Sequence, residues 1–163
     1  MTPMIRRTAG MLLALASCIA LAGGVLHAPS RETASPLTLV ATSDQVGALI
    51  NSQRQRSGRA ALARSAKLDK AAARHVSDMA RTGSYSHKGT DGSTHGQRIR
   101  RTGYKACWAA ENIGWGWKSA SSMVGAWMGS GPHKRNILSR KARQFGAARG
   151  AGDTWVLVLA RPC

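Results

Sequence analysis

A continuous apolar run near the C-terminus, Trp155 to Leu159, is the feature that most constrains how this chain can fold. Because every residue in the run is apolar, neither face of the strand that it predicts can lie against solvent. The turn sequence Gly150–Asp153 comes just before it, and residues 145–149 predict a second strand. The two strands form a hairpin, so the chain must build a small antiparallel sheet with protein on both sides.

Segments with apolar residues at helical spacing can supply this cover. Ser43 is a suitable N-terminal cap for the first of them, and Gly131-Pro132 breaks the last. Residues 104–117 predict a mixture of strand and ordered loop. The predicted helices span residues 44–56, 67–82, 94–102 and 119–130. We therefore predict an α+β protein, an α-β-α sandwich in which helices cover both faces of the small antiparallel sheet.

The N-terminal residues predict export. Arg6 and Arg7 precede an apolar stretch over residues 11–21, and Ala20–Ala22 places small residues where a signal peptidase cleaves. A periplasmic or secreted protein follows from this pattern. The predicted organisation is a signal peptide over residues 1–22, a linker over 23–42 and one folded domain over 43–163.

The cysteines fit an oxidising compartment. Leu15–Cys18 resembles a lipobox, so the alternative to a cleaved soluble form is a protein anchored through a lipidated Cys18. Cys107 and Cys163 form an even pair and predict one disulfide outside the cytoplasm. The bond closes a loop of about 57 residues, which is worth roughly 4 kcal/mol in the chain-entropy account.

The charge is strongly basic, with 24 Lys and Arg residues against 7 Asp and Glu residues and a formal net charge of +17. Such a surface attracts polyanions, which for an exported protein predicts anionic envelope components as partners. The alternative is a solvated basic surface with no dedicated partner. No nucleic-acid-binding motif accompanies the charge, so we expect no specific nucleic-acid partner. We also expect the protein to be a monomer.

Glu111 is the one glutamate of the predicted domain, and it lies in an apolar sequence. A carboxylate in such surroundings needs a partner, because unpaired burial is costly. His87 and His133 follow predicted helices in loops rich in small residues, where they can converge with Glu111. Two imidazoles and one carboxylate match a divalent metal site, such as a zinc site, with an open position. The alternative is a structural carboxylate that accepts hydrogen bonds.

Ser130 is the remaining candidate for chemistry. A nucleophilic triad can be written from Ser130, His133 and Glu111, provided that the serine and the histidine lie in contact. The other histidines have structural interpretations. His75 falls in the apolar stripe of the second helix and is predicted to be a core residue, whereas His95 is predicted to be solvated.

Five segments then match a family pattern when they are taken in chain order. They are Tyr85–Ser93, Arg98 with Gly103-Tyr104, Ala110–Gly114, Trp127–His133 with Asn136–Leu138, and Phe145-Gly146 with Trp155. Over about residues 43–160 the chain resembles the CAP superfamily, in its bacterial branch. This is the SCP domain of cysteine-rich secretory proteins, insect venom antigens and plant pathogenesis-related proteins. The resemblance implies the same α-β-α sandwich that the residues predict.

The resemblance also implies a cleft with two histidines and two glutamates that can bind zinc or another divalent ion. His87 matches the first histidine of that cleft and Glu111 its first glutamate. Ser130 stands in the place of the second glutamate, and His133 supplies a histidine from a nearby position. The predicted disulfide is not part of the general family pattern, so it depends on the cysteine count alone.

Three functions are compatible with the sequence. The first is an exported, non-catalytic binding module for a lipid, a sterol or an anionic envelope component, and it is preferred over an enzyme. The second is a metal-assisted hydrolase that uses the cleft of His87, Glu111 and His133. The third is a structural network of the same residues that binds no ligand.

Overall fold

The structure of the chain is a computed structural model that describes residues 36–163. The predicted signal peptide, the predicted lipidation at Cys18 and most of the predicted linker lie outside these residues. The elements are α1 Pro36–Arg56, β1 Ala63–Arg64, α2 Ala66–Thr82, α3 His95–Arg101, β2 Ala106–Gly114, α4 Ala120–Gly129, α5 Gly131–Ile137, β3 Gln144–Gly150, a 3-10 turn Ala151–Asp153 and β4 Thr154–Pro162.

The four strands of the described chain form one sheet in the order β1-β3-β4-β2. β4 lies between β3 and β2 and is antiparallel to both, which confirms the predicted hairpin and the central position of the apolar run. β1 adds two residues in parallel to β3. Such a short strand shows no period in the sequence, so it was not predicted.

Helices cover both faces of the sheet, as the α+β sandwich prediction requires. Trp155, Leu157 and Leu159 pack in a core with residues of α1, α4 and α5. The residues between them, Val156 and Val158, pack in a second core with residues of α2 and α3. Full burial of each such side chain contributes about 1.5–3 kcal/mol, so the run stabilises both layers of the sandwich.

The first helix differs from the prediction at its N-terminal end. It begins at Pro36 rather than at Asp44, so it includes the last residues of the stretch predicted as a linker. Ser43 is therefore not an N-terminal cap. It lies buried inside the helix, where its hydroxyl donates a 2.6 Å hydrogen bond to Asp69 Oδ1 and fastens α1 to α2.

The predicted break at Gly131-Pro132 ends α4 but also opens a fifth helix. Proline has no backbone N–H and a helix-compatible φ, so it starts helices as readily as it stops them. As a consequence His133 lies on α5 and not in a loop. His87 does lie in a loop, as predicted, between α2 and α3.

The predicted disulfide is present between Cys107 and Cys163, whose Cα atoms are 4.9 Å apart. It joins the start of β2 to the last residue of the chain, next to the C-terminal end of β4. Among residues 36–163, no helix has the length and apolar character needed to cross a membrane.

Candidate functional site

Strand β2 is an edge strand, and its successive side chains point to opposite layers of the sandwich. Glu111 pairs with Val158, which belongs to the core under α2 and α3. Asn112 pairs with Leu157, which belongs to the core under α1, α4 and α5. The candidate site therefore has two sides, which one strand connects.

Glu111 is held on the α2/α3 side by two cationic or hydrogen-bonding partners. Arg98 of α3 donates from Nη2 to both carboxylate oxygens, at 3.0 Å and 2.8 Å. His87 Nδ1 lies 2.9 Å from Oε1 and donates to it, because a carboxylate can only accept. The side chains of Arg98 and Glu111 are 2% and 1% exposed, so this ion pair is removed from water.

Arg98 holds the loop as well as the carboxylate. Its Nη1 donates to the carbonyl of Ser93 at 2.8 Å, and its Nη2 also donates to the carbonyl of His87 at 3.0 Å. α3 presents Arg98 because a capping box, formed by Thr94 and Gln97, fixes the start of that helix. One guanidinium therefore joins α3, the loop before it and β2.

His75 of α2 completes this cluster, which we call the glutamate cluster (His75, His87, Arg98 and Glu111). Its ring is fully buried, and Nε2 donates to the carbonyl of Ser86 at 2.8 Å, while Glu111 Oε1 lies 3.8 Å away. The core position predicted for His75 is confirmed. Burial is the main cause that lowers the pKa of His75, and the charge of Arg98 lowers it further.

The pKa of Glu111 is lowered in spite of its position. Burial acts to raise it, but the hydrogen bond from His87 and the charge of Arg98 outweigh that effect. Glu111 therefore remains a carboxylate whose two oxygens both accept from protein donors. A group so fully paired is a poor proton acceptor for a reaction.

The predicted metal ligands do not form a preformed site. Among residues 36–163, no three His, Cys, Asp or Glu side chains are placed to hold an ion together. Both oxygens of Glu111 face Arg98, whose positive charge would repel a cation. The structure brings His87 to Glu111 but places His133 on α5, so zinc binding by His87, Glu111 and His133 stays a prediction that this geometry does not support.

The opposite side of β2 is organised by asparagines. Asn112 is fully buried; its Nδ2 donates to the carbonyl of His133 at 3.1 Å, and its Oδ1 accepts from Asn136 at 2.9 Å. These bonds fasten α5 to the strand. Burial is the first cause that lowers the pKa of His133, and the charge of His87 is the second.

An apolar groove of about 250 Å³ lies on this side, between the end of β2 and α4. We call it the tryptophan groove, and its lining residues are Ile113, Gly114, Trp115, Trp117, Met123, Ala126, Trp127, Ser130 and His133. Trp115 and Trp117 are 50% and 43% exposed, and they are the large apolar side chains that the described chain leaves in solvent. Ser130 and His133 supply polar atoms to an otherwise apolar wall.

Two contacts fix the walls of the groove. Trp127 Nε1 donates to the carbonyl of Ile113 at 3.0 Å, which satisfies the buried indole and joins α4 to β2. Trp115 stacks on Tyr85 with ring centroids 4.5 Å apart. Because Tyr85 precedes His87 in the same loop, this stack connects the glutamate cluster with the groove.

Ser130 is half-buried between α4 and α5 and lines the groove. In the described part of the chain, no hydrogen bond joins its hydroxyl to His133 or to Glu111, and the Glu111 carboxylate belongs to the other side of the strand. The triad of Ser130, His133 and Glu111 is therefore not assembled. His95, predicted to be solvated, is half-buried, and burial is the first cause that lowers its pKa.

Several important residues escaped the sequence predictions as site residues. Arg98, Asn112 and Asn136 stood only within matched segments, and nothing in their spacing indicated that Arg98 would reach Glu111. No pattern in the sequence around Trp115 and Trp117 predicts that both side chains are exposed. The useful signal was the single carboxylate in an apolar sequence, which required an ion-pair or hydrogen-bond partner near it.

Comparison with known proteins agrees with this architecture. Residues 48–159 match the family described as CAP, the cysteine-rich secretory protein family. The chain is 28% identical over 124 residues to the uncharacterized protein YkwD of Bacillus subtilis, covering 76% of this chain and 48% of that protein. This chain thus spans about half the length of that relative.

Solved structures show the same fold. An extracellular protein containing an SCP domain from Bacillus anthracis superposes with a TM-score of 0.73 at 22% identity, covering 78% of this chain and 44% of that one. An outer surface protein from Borrelia burgdorferi superposes with a TM-score of 0.69 at 19% identity, covering 74% of this chain and 92% of that one. At these identities the likeness establishes the fold alone.

Proposed function

This chain belongs to the CAP, or cysteine-rich secretory protein, family, and on that premise we propose that it is an exported binding module. In this proposal the tryptophan groove holds the apolar part of a small amphiphile, of the kind found in lipids and sterols. The observation that carries the proposal is the exposure of Trp115 and Trp117 beside a formed apolar groove. Exposed apolar side chains that cluster in this way mark binding surfaces.

The composition of the groove supports an amphiphilic ligand. Its volume of about 250 Å³ is slightly smaller than the usual ligand pocket of about 300–1,000 Å³, so it suits one apolar portion of a larger molecule. Ser130 and His133 lie at the same groove and offer hydrogen bonds to a polar head. The groove lies between α4 and the end of β2.

Export is supported by three observations. The N-terminal residues carry the pattern of a signal peptide, and the chain has a disulfide, which persists in oxidising compartments. Two of the structural neighbours are an extracellular protein and an outer surface protein. A periplasmic or secreted location is part of the proposal, and lipid anchoring through Cys18 is the alternative form of it.

In the same proposal the glutamate cluster is a scaffold. Glu111, Arg98 and His75 are buried and bonded to one another or to backbone carbonyls, which is the arrangement of a structural network. It holds α2, α3 and the loop that carries Tyr85 against β2. Through the stack of Tyr85 on Trp115, the cluster positions one wall of the groove.

The test is calorimetric titration of the purified protein with decanoate. We expect saturable binding that weakens at least about tenfold in the Trp115→Ala/Trp117→Ala variant, because buried tryptophan anchors each contribute 2 kcal/mol or more. Leu49→Ala is the matched control, because Leu49 lines a different apolar recess beside α1 and α4. Binding that survives loss of both tryptophans, or that only Leu49→Ala abolishes, contradicts the proposal, as does the absence of binding.

A hydrolase remains the second candidate because of one observation. His87 has its Nδ1 oriented by Glu111 while its ring is 55% exposed, which leaves Nε2 open to act as a general base. A chromogenic ester assay tests it. Activity that His87→Gln removes and His133→Gln retains, in proteins of equal thermal stability, would establish this candidate; equal background rates in all three would exclude it for that substrate class.

A further inference from the structure

A second cavity, which shares no residue with the tryptophan groove, has walls of arginine. It measures about 450 Å³ and is lined by Arg54, Gly58, Arg59, Ala60, Arg140 and Arg143. It lies between the C-terminal end of α1 and the segment that leads into β3. We call it the arginine pocket, and nothing in the proposed function uses it.

Arg54 is the buried member of the arginine pocket, with 2% of its surface exposed. Its Nε donates to the carbonyl of Ala60 at 2.7 Å, and its Nη1 donates to the carbonyls of Ile137 and Ser139 at 2.6 Å and 3.0 Å. Neutral carbonyls thus hold this guanidinium in place. In the described part of the chain, Nη2 has no protein acceptor, so one end of a buried cation is left available.

Two other guanidiniums are held in the same way. Arg59 Nε donates to the carbonyl of Leu138 at 3.2 Å, and Arg143 Nη1 donates to the carbonyls of Arg140 and Ala142 at 2.7 Å and 2.9 Å. These bonds restrict the side chains without neutralising them. The pocket is therefore organised by its own backbone before any ligand arrives, which lowers the cost of binding.

Within residues 36–163, every side-chain carboxylate is already paired away from these charges. Each of the six acidic residues between 36 and 163 lies in an ion pair elsewhere: Asp44, Asp69, Asp78, Asp91, Glu111 and Asp153. None of the four arginines of the pocket has a carboxylate within ion-pair distance in that part of the chain. Burial, followed by the positive charges of Arg59 and Arg143, lowers the pKa of Arg54, because nearby like charges disfavour the charged form.

We propose that the arginine pocket binds a phosphate group. Arginine presents a planar fork of donors that matches the oxygens of phosphate, and four cations suit a group with two negative charges and several acceptor oxygens. The ligand would neutralise the mutual repulsion of the arginines and accept from Arg54 Nη2. The phosphate could belong to a soluble phosphate compound or to a phospholipid head group, and the experiment distinguishes the two sources.

The experiment uses two probes, inorganic phosphate followed by calorimetry and vesicles of phosphatidylglycerol with phosphatidylcholine followed by sedimentation. The test variant is Arg140→Gln/Arg143→Gln, which removes two charges from exposed side chains of the pocket. The control is Lys70→Gln/Arg100→Gln, which removes two charges from exposed side chains on α2 and α3. Arg140→Gln alone is a second variant, because the Arg140 side chain makes no hydrogen bond within residues 36–163.

We expect saturable phosphate binding that weakens at least about tenfold in Arg140→Gln/Arg143→Gln. The reason is that one hydrogen bond to a charged group contributes about a factor of ten or more to the binding constant. The control should change it less than about twofold. Pocket-dependent binding of vesicles as well identifies a head group as a source. Equal losses in test and control variants, or no pocket-dependent binding of either probe, overturns the proposal. Failure here leaves the groove proposal unaffected, because the two sites share no residue.

Discussion

The two sides of strand β2 differ in how completely their groups are satisfied. On the α2/α3 side, Glu111 and Arg98 are buried and bonded to each other and to backbone carbonyls. On the α4 side, Trp115 and Trp117 remain exposed beside an apolar groove. Strand β2 and the segment that directly follows it thus serve a rigid scaffold and an open surface. In the proposed function, the charged residues of the glutamate cluster hold the fold and the two exposed tryptophans contact the ligand.

The largest effect should come from breaking the buried ion pair. Glu111→Gln leaves the Arg98 charge buried without a counterion, and we expect the free energy of unfolding to fall by about 3–5 kcal/mol. Urea denaturation followed by circular dichroism measures it. The Glu111→Met/Arg98→Met variant removes both charges and should recover much of the loss. If Glu111→Gln unfolds at the same urea concentration as the parent, the cluster is not a scaffold and the contrast between the two sides fails.

Substitutions at two glycines test whether the α2/α3 side of the sheet is more tightly packed than the groove side. A Cβ at Gly146 would overlap the backbone of Leu68 and Asp69 in α2, whereas a Cβ at Gly114 would overlap the flexible end of Met123 in the groove. We expect Gly146→Ala to cost about 3 kcal/mol or more and Gly114→Ala about 1 kcal/mol, since overpacking is tolerated where a side chain can move. Thermal unfolding of both variants measures the difference, and equal costs would contradict it.

The fold was more predictable from the sequence than the site, for physical reasons. The apolar run at 155–159 could only be a covered strand, and the stripe of α2 could only be one buried face, because both follow from local periodicity. The dipeptide Gly131-Pro132 predicts the end of a helix, and this prediction omits α5. Proline is equally suited to the first turn of a new helix, so the sequence alone does not distinguish the two cases.

The site depends on contacts that no local pattern encodes. The apolar surroundings of Glu111 correctly predicted that it needs a partner, but Arg98 meets it only after α3 packs beside β2. The sequence predicts the same role for His87 and His133, yet of these two only His87 forms a hydrogen bond with the carboxylate within residues 36–163. Likewise, Trp115 and Trp117 lie in a segment with no helical period, so the sequence did not predict that both would be exposed.

A change of pH should alter the free energy of unfolding by a smaller amount, mainly through the glutamate cluster on the α2/α3 side. The pKa of His75 is lowered in the folded state, so below its unfolded value of about 6.5 the unfolded chain binds more protons. The stabilisation is complete above that value and is lost as pH falls toward the folded pKa, with a slope of at most about 1.4 kcal/mol per pH unit for one group. The lowered pKa of Glu111 adds a loss in the same direction at lower pH.

Stability measured between pH 7.5 and 5.5 by urea denaturation tests this effect, over a range chosen around the ordinary histidine pKa of about 6.5. We expect the decline to be shallower in His75→Gln than in the parent, whatever the stability of the variant itself. His133→Gln is the comparison on the groove side, and because His133 is only half-buried, it should flatten the decline less. A greater flattening by His133→Gln would locate the pH sensitivity on the open side instead.

The smallest effect on stability should come from the groove itself. Trp117→Ala removes a side chain that is 43% exposed, and the bond from Trp155 Nε1 goes to the backbone carbonyl of Trp117 at 2.7 Å, which the variant keeps. We expect the free energy of unfolding to change by less than about 1 kcal/mol, as at other partly exposed positions. If a side chain of this size contributes little to folding, its exposed apolar surface is available to contact a ligand. A loss of stability as large as that of Glu111→Gln, measured by the same denaturation, would mean that Trp117 is part of the core. In that case the exposure of Trp117 would no longer support the groove as a binding surface.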